Sequence, residues 1–412
     1  MTCGTQHIPT EVSRGEAGHP LRMVFVLGSL EPGGAERQVV ELLRRLDRRL
    51  VQPALYVFYR RGHLEQQVPT DVPITAFFDP QRRQSVGWQW MGMLRAGTLA
   101  KVLHLACFLK HYQPDLVYER TLLGTLLTAP AAWLAKVPRC CGVVADPWRD
   151  IELSFRPWWR RPARWIVRWC YATAMYVLPN AEQLVPRLQA MFSVPAERLR
   201  VIRNLFDPAR LPPVPPPQSR DHPTRLLAVG RLHPQKDYLT MLRAVELLVT
   251  EYRRQITLTI LGSGRQEPML KHWVHQKGLS SYVHFAGQVA DPCTWMMNAD
   301  LYLLSSVYEG LPNALLEAIA CGLPVVATDC PTGPAEILEQ GRWGELVPVG
   351  DSRAMAQAVI RVLDHYTFYR QRAWEARSII LEKFSPSLII QQWEALLGEL
   401  RQQLPPTNRG GR

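Results

Sequence analysis

Residues 301–318 read LYLLSSVYEGLPNALLEA. Leu301–Leu304 is an unbroken apolar run of the length of a buried strand. Eight residues later Pro312 is well placed to open a helix, because its fixed φ suits a first helical position and that position needs no N–H donor. Residues 309–311 are then the turn between them. Strand, turn and helix in this order form the repeating unit of an α/β sheet, whose ligands lie beyond the carboxyl ends of the strands. Glu309 would stand at that mouth. Glu317 would lie in the second turn of the helix, on a stretch otherwise built for burial, where a carboxylate requires a hydroxyl or a cation as partner. Gly310, Leu311, Pro312 and Asn313 would bring a helix N-terminus toward an anion in the gap.

Further runs flank this unit: Leu226–Val229, Thr257–Leu261, Val283–Phe285 and Pro324–Ala327, separated by helical patterns such as Tyr238–Tyr252. Each is followed by a polar or Gly-rich turn. Gly230-Arg231-Leu232-His233-Pro234-Gln235-Lys236 offers a tight exit and two cations suited to a diphosphate. Gly262-Ser263-Gly264 opens a helix near Glu267 and reads equally as an anion-binding turn or a plain one. Asp329–Pro334 is a small-residue turn of the same ambiguous kind.

Upstream, residues 207–223 hold seven prolines, which excludes a helix or a central strand and marks a semi-rigid joint. Before it the alternation repeats. Met23–Leu27, Ala54–Phe58, Asp115–Tyr118 and Arg139–Ala145 read as strands, and Glu36–Leu46, Trp88–His111 and Leu122–Lys136 as helices. Gly33 and Gly34 in the first turn permit close backbone approach to a phosphate or sugar, although the spacing is not that of a dinucleotide fingerprint. The expected architecture is α/β, with two doubly wound Rossmann-like domains facing each other across a cleft. Their boundaries are 21–206 and 224–386, the joint is 207–223, and a last helix spans 387–404. Residues 1–20 and 405–412 read as disordered.

The chain has 412 residues, 47% of them apolar, and 48 Lys and Arg against 36 Asp and Glu. Nearly all of the net +12 falls before the joint, where 27 basic residues meet 16 acidic ones. Such asymmetry points to an anionic partner for the first half. Residues 147–170, PWRDIELSFRPWWRRPARWIVRWC, hold five Trp and six Arg. With Pro162 as a helix start, Trp165 and Trp169 share one face, and Arg164 and Arg168 the next. That combination suits peripheral association with an anionic membrane, or else a lobe helix with Trp inside and Arg in water. No nucleic-acid motif is present, so nucleic acid is not an expected partner. Eight Cys without metal-ligand or disulfide spacing indicate a reducing, cytoplasmic compartment.

These residues resemble the family 4 glycosyltransferases of the GT-B fold. The E-x7-E hallmark is matched by Glu309 and Glu317, the preceding GR…K by Arg231 and Lys236, and a GGAER opening by Gly33–Arg37. The resemblance covers about Leu21 to Glu399 and is more specific after the joint. It implies transfer of a sugar from a nucleotide-diphosphate sugar with retention of configuration, without metal or other cofactor, to a carbohydrate or lipid-linked acceptor. Arg231 and Lys236 would hold the diphosphate, Glu309 the sugar hydroxyls and Glu317 the ribose. Gly230, Gly262 and Gly264 would approach the donor, and the last helix would cross back onto the first domain. The absence of a D-x-D pair accords with metal independence. One departure concerns the acceptor side: the His common after the strand Arg139–Ala145 is missing, and Asp146 is the nearest polar substitute. Glu119 and Arg120 are the other acceptor-side candidates. A nucleotide-sugar epimerase or hydrolase, or a silent sugar-nucleotide-binding subunit, would share this architecture and differ in product.

Overall fold

The computed structural model describes residues 19–31, 33–79, 97–211 and 224–404. The expected termini up to residue 18 and from 405, the joint from 212 to 223, and the helix start at Trp88 lie outside them. Two six-stranded sheets form, one in each lobe. The first lobe contains β1 (Leu21–Leu27), β2 (Val51–Tyr59), β3 (Ile74–Phe78), β4 (Leu116–Arg120), β5 (Arg139–Val143) and β6 (Tyr176–Pro179). The second contains β7 (Thr224–Val229), β8 (Ile256–Leu261), β9 (Val283–Gly287), β10 (Leu301–Leu304), β11 (Val325–Thr328) and β12 (Glu345–Val347). Their orders are β3-β2-β1-β4-β5-β6 and β12-β11-β10-β7-β8-β9. The strands within each sheet pair in parallel, with Phe25 opposite Leu55 in the first and Tyr302 opposite Val325 in the second.

Three strands escape the sequence reading, each for a local reason. β3 and β12 are short edge strands, and β6 is four residues ending in Pro179. Pro162 does not start a helix. The helix runs Pro157–Ala172 with Pro162 inside it on the exposed side, and Pro157 takes the first position. The missing hydrogen bond thus falls on the water-facing side of the helix. Pro312 likewise sits one residue outside its helix, Asn313–Ala320, as an extended cap residue.

The lobes share a core. Val143, Ile151, Val177 and Leu188 of the first lobe belong to one buried cluster with Leu304, Leu315, Ile319 and Ala327 of the second. Helix Pro386–Gln403 returns to the first lobe, where Ile389, Trp393, Leu396, Leu397 and Leu400 join Phe25 and Leu55 in a second cluster. The Trp393 ring meets that of Tyr118 edge-on at 5.0 Å. Each such buried side chain contributes about 2 kcal/mol of apolar burial, so this returning helix is held firmly on the first lobe. No helix among the described residues is long and apolar enough to cross a membrane.

Candidate active site

Where the carboxyl ends of the two sheets face each other lies a cleft of about 770 Å³, a size that accommodates a small-molecule ligand. Its second-lobe wall consists of the loops that the sequence singled out. The 3-10 turn Pro234–Lys236 brings Lys236 under the β10 loop, and Lys236 Nζ stands 2.5 Å from Glu309 Oε1. Ser306 Oγ donates to the same oxygen at 2.6 Å. The two loops are further laced by Ser305 Oγ to the Lys236 carbonyl at 2.7 Å and Gln235 Nε2 to the Tyr308 carbonyl at 3.1 Å. Thr332 hydroxyl, from the turn after β11, donates to the Glu309 carbonyl. Glu309 is 6% exposed, so its charge is held by a fixed ammonium and a hydroxyl in a largely dry setting. Arg231 lines the same wall, is exposed, and makes no ion pair with another described residue. Glu317, buried in the second turn of its helix, faces the cleft together with Leu311, Pro312 and Asn313.

The glycines divide. Gly33, Gly34, Gly230 and Gly262 line the cleft. At Gly262, φ is +133° and a Cβ would lie 2.1 Å from the Gly230 carbonyl oxygen, so glycine is required for the two loops to touch. Gly264 is not on the cleft wall; its absent Cβ makes room for the Leu232 carbonyl at 2.4 Å. The Gly-Ser-Gly turn is therefore in part a packing device. Gly310 also turns away from the cleft: it forms an antiparallel bridge with Ala145 across the lobes, and a Cβ there would strike the Val144 carbonyl at 2.2 Å.

On the first-lobe wall the acceptor-side expectations need correction. Asp146 is fully buried, caps helix Pro147–Ser154 by accepting from Trp148 N at 3.0 Å, and pairs with Arg187 at 2.5 Å. It does not face the cleft. Asp150, one turn further along that helix, does: it lines the cleft, and Tyr308 Oη donates to its Oδ1 at 2.9 Å from the opposite lobe. Burial pushes the Asp150 carboxyl above the usual range, while the Tyr308 hydrogen bond and Arg231 pull it back. Glu119 is also removed from the site. It is ion-paired with Arg139 in the core, and Arg139 also donates to the Cys170 carbonyl. Arg120, its neighbour on β4, reaches the cleft and donates to Asn204 Oδ1. Adjacent residues of a strand point to opposite faces, so only one of the two was able to serve.

Several site residues gave no sequence signal. Asn204 joins the lobes, donating to Asn313 Oδ1 at 2.6 Å and to the Leu311 carbonyl at 3.2 Å. Asn180, just past β6, lies beside it on the wall. Glu36 lines the cleft with its carboxyl raised by burial and drawn down by Arg231 and Arg120. Its place in the GGAER opening was the one available hint. Of the Trp/Arg segment, Trp165 and Arg168 are exposed. Trp169 is half-buried, and Arg164 is held over the Trp148 ring at 3.4 Å and by Glu152 at 3.4 Å.

Known proteins match both lobes. Residues 223–365 fit the family described as "Glycosyl transferases group 1", and residues 32–210 fit "Glycosyltransferase Family 4". A putative colanic acid biosynthesis glycosyltransferase, WcaL of Escherichia coli, is 33% identical over 189 residues, covering 44% of this chain and 46% of that protein. The N-acetylgalactosamine-N,N'-diacetylbacillosaminyl-diphospho-undecaprenol 4-alpha-N-acetylgalactosaminyltransferase of Campylobacter jejuni is 26% identical over 201 residues, covering 49% and 54%. The matched region thus spans about half the length of these relatives. Among solved structures, Anabaena HepE in complex with UDP and glucose superposes with a TM-score of 0.72 at 21% identity, covering 92% of this chain and 100% of that one. Sucrose-phosphate synthase of Thermosynechococcus elongatus gives 0.76 at 18%, covering 93% and 100%. With both lobes matched and the two facing sheets in place, the chain belongs to the family 4 type of glycosyltransferases and has the GT-B fold.

Proposed function

We propose that this protein transfers a hexosyl unit from a nucleotide-diphosphate sugar to a glycan or lipid-linked acceptor, with retention of configuration and without a metal ion, at the cytoplasmic face of a membrane. The observation that carries this reading is the convergence of Arg231, Lys236, Glu309 and Glu317 on one wall of a cleft shared by both lobes. HepE has been solved with UDP and with UDP-glucose, and the Campylobacter relative is named for a diphospho-undecaprenol substrate; both support the donor and acceptor classes.

In this reading the bond between the anomeric carbon and the diphosphate oxygen breaks, and the charge that develops on the leaving diphosphate is met by Arg231 and Lys236. These two cations, of which Lys236 is held in place by Glu309, supply the neutralisation that a divalent ion would otherwise provide. Glu309, oriented by Lys236 and Ser306, accepts from hydroxyls of the donor sugar. Glu317 accepts from the ribose. The acceptor hydroxyl enters from the first lobe and bonds to the anomeric carbon on the face the diphosphate leaves. Asp150 takes up the acceptor side that lacks the family's His, its carboxyl raised by burial and so a stronger base toward the acceptor's proton than an ordinary carboxylate.

The test is sugar transfer from a panel of nucleotide sugars with Glu309→Ala and Lys236→Ala beside the parent protein. Loss of transfer in both, a product with the donor's anomeric configuration by NMR, and turnover unaffected by EDTA are expected. Unchanged turnover in either variant would sink the assignment. Free nucleotide with a hydrolysed or epimerised sugar and no glycoside would replace it with an epimerase or hydrolase; saturable donor binding with no transfer to any acceptor would leave a silent binding subunit.

A further inference from the structure

The outer face of helix Pro157–Ala172 plays no part in the cleft. At about 3.6 residues per turn, Trp158, Pro162, Trp165 and Trp169 fall on one stripe, opposite the buried Ala163, Val167, Cys170 and Tyr171. Trp158 and Trp165 are 67% and 71% exposed, and Trp159 beside them 44%. At the far end the Trp169 ring meets Trp133 of helix Leu122–Ala135, itself 64% exposed, with centroids 6.4 Å apart. Exposed apolar side chains normally occur singly; rings aligned along a helix mark a surface that meets something.

The charge carried by the helix itself has one sign. Between Leu153 and Ala181 the chain has no Asp or Glu and five Arg. Two of them are committed inward: Arg160 donates to the Glu152 carbonyl at 2.8 Å, and Arg164 lies over Trp148. Arg156, Arg161 and Arg168 are exposed and make no ion pair with another described residue. Unpaired guanidinium groups interleaved with indole rings complement a surface that presents phosphates above hydrocarbon.

We propose that this face seats the first lobe on an anionic lipid bilayer, with helix Pro157–Ala172 lying in the interfacial plane. Trp158, Trp159 and Trp165 enter at headgroup level, and Arg156, Arg161 and Arg168 meet lipid phosphates. The helix follows directly on Pro147–Ser154, whose Pro147 and Asp150 line the cleft. In this arrangement a lipid-borne acceptor reaches the cleft past these two consecutive helices. That delivery rests on the sugar-transfer reading; the membrane contact itself does not.

The experiment is co-sedimentation of the full chain with vesicles of phosphatidylglycerol in phosphatidylcholine, and of phosphatidylcholine alone, with no donor present. Binding to the anionic vesicles only is expected. Arg161→Ala with Arg168→Ala lowers the partition coefficient roughly 25-fold, at about fivefold per arginine. Trp158→Ala with Trp165→Ala lowers it at least as far. These positions are exposed, so thermal midpoints and UDP binding by calorimetry stay at parent values, which separates the surface effect from unfolding. The proposal is overturned if the parent protein ignores anionic vesicles, if it binds neutral ones equally, or if the variants bind like the parent. It is also overturned if sedimentation equilibrium reveals a dimer that the Trp variants dissolve, which would assign the face to a second copy. Vesicle binding by a chain found inactive in transfer supports this surface and counts only against the catalytic reading.

Discussion

Replacing Lys236 by Met keeps most of the side chain's bulk and removes its charge, leaving the Glu309 carboxylate with Ser306 as its remaining side-chain partner. The Lys236 and Glu309 side chains are 16% and 8% exposed, so water compensates little. Breaking a pair so enclosed costs about 3 kcal/mol, the low end for buried pairs because the lysine is not fully enclosed. For a lobe of this size that lowers the melting temperature by about 6–12 °C. Adding Glu309→Gln removes the stranded charge, and the double variant should return to within about 1 kcal/mol of the parent. Turnover behaves differently. The single and double variants both lack the cation beside the departing diphosphate and should lose about 100-fold or more in kcat. Thermal denaturation read by circular dichroism, together with transfer kinetics on the same preparations, checks both halves. A single variant melting within about 2 °C of the parent would refute the claim that the pair is held out of water. A double variant with parental turnover would refute any role beyond structure.

The Asp150 assignment carries a pH signature. Burial raises its carboxyl, with Asp146 adding to the rise and Tyr308, Arg231 and Ser154 opposing it; the ionised form is lost as pH falls through that raised value, so kcat/KM has an acid limb. Tyr308→Phe removes a hydrogen bond that lowers the pKa and should move this limb to higher pH, whereas Asp150→Asn should abolish it along with most turnover while UDP binding by calorimetry persists. Gly310→Ala places a Cβ 2.2 Å from the Val144 carbonyl; the lobes must part there, and kcat should fall more than UDP affinity in the same two assays. Glu119→Ala strands Arg139 in the core at a cost of about 3–5 kcal/mol, which should appear as loss of soluble protein or a reduced urea midpoint, with no specific effect on KM in whatever folds.

Periodicity made the architecture readable. Apolar runs such as Leu301–Leu304, alternating with helical segments, require a doubly wound sheet wherever they recur, and a proline run between two such series requires a joint. The donor wall was readable for the same reason: Arg231, Lys236, Glu309 and Glu317 sit at strand ends or in the first turns after them, and the parallel topology carries every strand end to one side. Short or edge strands, β3, β6 and β12, lacked enough residues to establish a period. Asn180 and Asn204 are single polar residues whose importance arises from partners far away in the chain.

What only the tertiary structure decided is which neighbour of each adjacent pair does the work. Glu119 and Arg120 are adjacent charged residues at the end of one strand, yet strand alternation sends one into the core against Arg139 and the other to the cleft. Asp146 and Asp150 stand one helical turn apart, yet the first is consumed by capping and by Arg187 while the second meets Tyr308 from the other lobe. Among the arginines of residues 156–168, packing against Trp148 and the Glu152 carbonyl leaves three for an outside partner. Local periodicity in the chain determines which elements form and which of their ends face the ligand, since both follow from backbone geometry. The availability of a charged side chain depends on what the fold places beside it, and a buried charge is taken by its nearest complementary partner, however distant in sequence.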